Sequence, residues 1–240
     1  MGEEEAVENK EEDDERKDRE MQAVADLMEQ EKFELAAAKL KLMSKRDPKD
    51  ADVLHNLGVV LTELKEFPQA EDVFAKALEL RENEGKVNYA TVYGLATVLT
   101  EQGGEQKLLT AEALYRDFLA RAVELEEKGV ADTYRGFASL ARNLELQKRW
   151  GQAAEAWEHT LQLSERMFGE ESEIVVDQRY RCARAKKLGK YQKGLRTVMW
   201  ILTVTVPVVT AWYYGSGRRI ADIFGVGGPT PGPEPTLVEE

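Results

Sequence analysis

Cysteine is nearly absent: Cys182 is the single one in 240 residues. An internal disulfide is therefore excluded, and a reducing compartment is the simpler setting. Histidine is scarce too. His55 and His159 stand far apart with no cysteine partner, so neither a metal centre nor a nucleophile–histidine pair is expected. A phosphate-cradling glycine loop is missing, because "EQGGEQ" (101–106) lacks the lysine spacing and strand context that such a loop needs. Acid pairs such as Glu170 and Glu171 read as a solvated loop. No catalytic constellation remains, so an enzyme is not expected and no cofactor is called for.

Charge is plentiful but uneven. The chain is 32% charged, with net charge −12 and mean hydropathy −0.50, while 42% hydrophobic residues suffice for a core. Residues 1–20 carry a net −7, with few apolar side chains to order them, so 1–16 are expected to form an acidic disordered arm. Residues 179–196 hold only bases: Arg179, Arg181, Arg184, Lys186, Lys187, Lys190, Lys193 and Arg196. No nucleic-acid partner is expected. The opening "MGEEEA" places acids where a secretory signal or transit peptide has bases, and Ala6 stands where N-myristoylation wants Ser or Thr.

What is present is a period. In "ADVLHNLGVVLTELKEFPQAEDVFAKALEL", Leu54, Leu57, Gly58 and Leu61 are followed by Ala70, Phe74 and Ala77. Thirty-four places earlier stand Ala36, Leu40 and Met43, with Ala23, Val24 and Leu27 before them. Two longer units follow, marked by Leu95, Ala96, Leu99, Ala111, Tyr115 and Phe118, and by Phe137, Ala138, Ala141, Ala153, Trp157 and Thr160. The pattern resembles the tetratricopeptide repeat, and the junction "ERMFGEES" with "GKY" resembles the 42-residue variant of kinesin light chains. A fifth, partial unit is expected to begin near Ile174, carry Cys182 and Ala183, and turn at "LGKYQKG" (188–194). The resemblance implies an all-α solenoid of helical hairpins over residues 17–194, divided near 17–50, 51–84, 85–126, 127–170 and 171–194.

It also implies a concave groove for a protein or peptide, lined by the first helix of each pair. Helical spacing puts Met21, then His55 and Val59, then Tyr93 and Thr97, then Arg135, Ser139 and Arg142 on that face, with Asn56 beside them. The Lys/Asn/Arg set with which related co-chaperones clamp a heat-shock chaperone carboxylate is not matched, so that partner is not expected.

One run stands apart: "TVMWILTVTVPVVTAWYY", Thr197–Tyr214, has no charge. Pro207 and the lack of a second strand candidate disfavour a strand. Trp200 near one end, Trp212, Tyr213 and Tyr214 at the other, and Lys190, Lys193, Arg196, Arg218 and Arg219 outside resemble the belts and basic flanks of a membrane helix. A single transmembrane helix is expected there, with a Gly/Pro-rich tail at 215–240 and the N-terminus cytosolic. The expected function is a tail-anchored adaptor or receptor at an organelle membrane. The mitochondrial outer membrane is favoured over the endoplasmic reticulum or plastid envelope. The alternative is a structural or assembly subunit of a membrane complex.

Overall fold

The computed structural model describes residues 2–83, 85, 88–124 and 130–215, with side chains at 12–83, 85, 88–122 and 130–210. Every element among them is helical: α1 (Gly2–Glu29), α2 (Phe33–Arg46), α3 (Ala51–Glu63), α4 (Phe67–Asn83), α5 (Tyr89–Gln102), α6 (Glu105–Glu124), α7 (Val130–Leu146), α8 (Trp150–Phe168) and α9 (Glu173–Gly215). The chain divides into two compact units, 1–189 and 190–240.

Local signals fix where the helices of the first unit begin and end. The Asp50 carboxylate accepts from the backbone N–H groups of Asp52 and Val53 at the start of α3, and the Asn88 side chain does the same for Ala90 and Thr91 at the start of α5. Three of the first helices close in one way. The N–H of Lys32, Glu66 and Arg149 each returns 2.9 Å to the carbonyl of Leu27, Leu61 and Leu144 respectively. In each turn one residue takes the left-handed conformation: Glu31 (φ 56°), Lys65 (φ 60°) and Lys148 (φ 58°). These are Schellman closures, and they satisfy the last carbonyls before the chain reverses. The third hairpin instead turns through Gly103 (φ 71°) and Gly104 (φ 84°).

This common closure fixes the register, and it corrects one expectation. If Leu144 is the counterpart of Leu61, the fourth unit's signature is Phe137, Leu140, Ala141 and Leu144, three residues later than the marks Phe137, Ala138 and Ala141 imply. Burial agrees. Leu140, Ala141 and Leu144 are enclosed as Leu57, Gly58 and Leu61 are, whereas Ala138 is half-buried. The second helices keep the expected places, with Ala70, Phe74, Ala111, Tyr115, Ala153, Trp157 and Thr160 all buried. The cause is the third unit's glycine turn, which adds three residues between Leu99 and Ala111 relative to Leu61–Ala70 and Leu144–Ala153.

Antiparallel pairs α1/α2, α3/α4, α5/α6 and α7/α8 stack in chain order, so that α3, α5 and α7 lie side by side. Each pair buries its apolar stripe on its neighbours, which is why the core runs through the stack. Residues 2–16, expected to lack structure, are helical within α1. Glu, Lys and Arg are strong helix formers, and Lys17 ties the helix to Asp50 at 2.6 Å. The fifth hairpin does not form among the described residues: "LGKYQKG" is helix rather than turn. Val175, Gln178, Cys182 and Ala185 face the core, and Ala183, expected there, is exposed. Gly189 serves close packing instead, since a Cβ there would stand 3.3 Å from the backbone nitrogen of Gly151.

The second unit is described as helix to Gly215. Among the described residues no helix is long and apolar enough to cross a membrane. The backbone of the expected span is helical throughout, with side chains described to Thr210. Thr197–Tyr214 rise about 27 Å, a little under a hydrocarbon core of about 30 Å, and four threonines with Pro207 dilute their apolarity. Trp212, Tyr213 and Tyr214 have side chains outside the described residues. Arg218, Arg219 and the 215–240 tail, beyond Gly215 itself, lie outside them entirely.

Candidate functional site

A cleft of about 470 Å³ opens along the row of first helices. Phe74 from α4 and Phe118 from α6 reach up between those helices to form its floor. His55, Val59 and Thr62 of α3 make one wall; Tyr89, Ala90, Tyr93, Gly94 and Thr97 of α5 lie opposite. Glu63, Asp132 and Arg135 supply charge at the rim. An apolar floor with a few polar groups above it is the usual make-up of a recognition pocket.

The walls are held firmly. The Tyr93 ring leans on Tyr115 and Phe118, with centroids 5.8 and 5.2 Å away, and its hydroxyl meets Ser139 Oγ at 2.9 Å, linking α5 to α7. Thr97 donates to the Tyr93 carbonyl at 2.9 Å and accepts from the Tyr115 hydroxyl at 3.3 Å. Below it, Asn143 Nδ2 donates to Thr100 Oγ1 at 3.0 Å, so this buried polar layer is satisfied. Burial pushes the Tyr115 hydroxyl above its usual pKa. His55 Nδ1 lies 3.0 Å from Thr91 Oγ1 and its ring 5.8 Å from that of Phe74; burial lowers its pKa.

Five sequence-predicted residues, His55, Val59, Tyr93, Thr97 and Arg135, come together in this cleft. Ser139 stands behind Tyr93 as its hydrogen-bond partner. Three expected residues lie elsewhere. Met21 packs on the core of the first two pairs. The Asn56 amide donates to the Asp52 carbonyl of its own helix at 2.8 Å. Arg142 is bound to Glu101 at 3.0 Å, so it is not a free cation for an acidic peptide. Among the described residues Arg135 pairs with Asp132 alone, at 3.9 Å, and it is mostly exposed. Sequence reasoning assigns Phe74 and Phe118 to the core alone; their place on second helices, pointing between two first helices, is the signal that gives them a second face. Among the described residues, no three His, Cys, Asp or Glu side chains are grouped to hold a metal.

Fold and cleft together define a helical-hairpin repeat scaffold. Residues 27–91 match the tetratricopeptide repeat family, and no curated protein matches the sequence. Among solved structures, the chain is similar to the nearly identical TPR-like repeats of a "putative kinesin light chain" from Podosopora anserina. That match has a TM-score of 0.60 and 13% identity, over 82% of this chain and 95% of that one. A MamA double mutant from strain RS-1 matches with a TM-score of 0.50 and 16% identity, over 74% of this chain and 96% of that one. At such identities the likeness is one of fold.

Proposed function

We propose that the chain is an adaptor or receptor whose cleft between α3, α5 and α7 takes an apolar side chain of a protein or peptide partner. The observation that carries this reading is a cleft of about 470 Å³ floored by the apolar rings of Phe74 and Phe118, beneath walls tied by internal hydrogen bonds. A cleft already rigid loses little entropy when a ligand enters. We further propose that residues 197–214 hold the repeats at an organelle membrane with the N-terminus in the cytosol. The aromatic and basic residues flanking that run support this reading. The mitochondrial outer membrane is the preferred address because the run is short and rich in threonine. Recruitment during mitochondrial import or fission is the role this architecture resembles.

A photoreactive side chain at Thr62, on the cleft rim, tests the first part in cells. A discrete adduct should form and should vanish when Val59→Trp fills the cleft. The same group at exposed Leu42 on α2 should give none; an adduct at Thr62 indifferent to Val59→Trp contradicts the reading. Imaging an N-terminal fluorescent fusion with and without residues 197–240 tests the second part, and diffuse fluorescence of the full-length fusion contradicts it.

A further inference from the structure

The part of the second unit whose side chains are described, 190–210, contains no acidic residue, yet Lys190, Lys193 and Arg196 are all exposed on it. Steps of three residues turn an α-helix by about −60°, so these cations fan across about 120° of its circumference and about 9 Å of its axis. Beyond Thr197 the helix carries no charge as far as Thr210, and one full turn of it is apolar on every side. Val198, Met199, Trp200 and Ile201 complete a turn and are 51%, 53%, 64% and 44% exposed, and Val208 and Val209 further on are bare as well. A second copy of this helix would cover one stripe of such a surface; hydrocarbon covers all of it. The fan of cations stands at the boundary where the apolar side chains begin.

We propose that Lys190, Lys193 and Arg196 form a docking collar for the headgroups of anionic phospholipids. The collar makes attachment selective for negatively charged membranes, and it rests on the membrane placement given under Proposed function. A cation near an anionic leaflet contributes about fivefold to partitioning, so three together amount to on the order of a hundredfold. The attraction should fade as salt shortens its range.

The full chain is mixed with vesicles of phosphatidylcholine alone, and with vesicles of phosphatidylcholine and phosphatidylserine, and floated. Partitioning should be far stronger into the anionic vesicles at low salt. K190Q/K193Q/R196Q should lose on the order of a hundredfold of that preference, while K190R/K193R retains it. Equal partitioning of the wild type into both vesicles overturns the collar and leaves the membrane placement standing. Partitioning into neither vesicle, with a dimer forming in the absence of lipid, overturns both.

Discussion

The ring of Phe74 in α4 lies between Gly58 of α3 and Gly94 of α5. A Cβ built on either glycine would stand 2.7 Å from that ring. The ring thus joins one hairpin to the next and also forms part of the cleft floor, so the packing between hairpins sets the shape of the cleft. The same arrangement recurs one step along, where a Cβ on Gly136 would meet Leu119 at 2.7 Å and Phe118 at 3.0 Å.

Gly94→Ala should therefore destabilise the first unit by about 1–3 kcal/mol, because a nearly inaccessible Phe74 ring has no room to withdraw. Phe74→Ala should cost about 3–5 kcal/mol. Combined with Phe74→Leu, Gly94→Ala should cost less than it does alone, and denaturant unfolding of the four-member cycle measures that coupling. Additive effects would show that the contact does not matter.

Lys65 and Lys148 hold left-handed backbone that suits glycine. Lys65→Gly and Lys148→Gly should each raise stability by about 0.5–1 kcal/mol through relieved strain. Lys76→Gly, within α4, should lower it by about 1 kcal/mol. Opposite signs in the same unfolding experiment are the expected result.

Burial holds the folded pKa of His55 below the ordinary 6.5; Asp52 acts against this shift and Arg81 with it. The unfolded chain accordingly takes up the proton first as pH falls. His55 contributes no penalty above about pH 6.5, and stability declines as pH falls through the lower folded pKa. The melting temperature should drop between about pH 7 and about pH 5, and drop less in His55→Gln. An equal drop in both would place the pH dependence elsewhere.

Gly189 packs against the start of α8. Gly189→Leu should loosen this part of α9 from the repeats and speed alkylation of Cys182, which is buried in the native state. Gly194→Leu, with open space around its Cα, should leave Cys182 protected.

Much of this architecture is legible in the sequence because small and large residues alternate at helical spacing on the second helices. Ala70, Phe74 and Ala77 predict their own burial. A fixed 42-residue step, true from Ala111 to Ala153, misplaces the first helix of the fourth unit because it does not hold from Ala96 to Ala141; three residues sit in the third unit's glycine turn. Gly189 and Gly194 resemble a turn by composition. Yet nothing between Leu188 and Gly194 requires the chain to reverse, and the lysines there are good helix formers. The cleft is half legible: His55, Val59, Tyr93 and Thr97 follow from register. By contrast, the Arg142–Glu101 pair depends on how neighbouring first helices lie together, which no local pattern records.

The central claim is that the cleft accepts an apolar side chain, and N-acetyl-tryptophanamide is a direct probe of it. Titrated into the labelled protein and followed by NMR, it should shift the resonances of Val59, Tyr93 and Thr97 together, and Val59→Trp should abolish the shifts of Tyr93 and Thr97. Shifts scattered over the surface, or unchanged by Val59→Trp, would contradict the account.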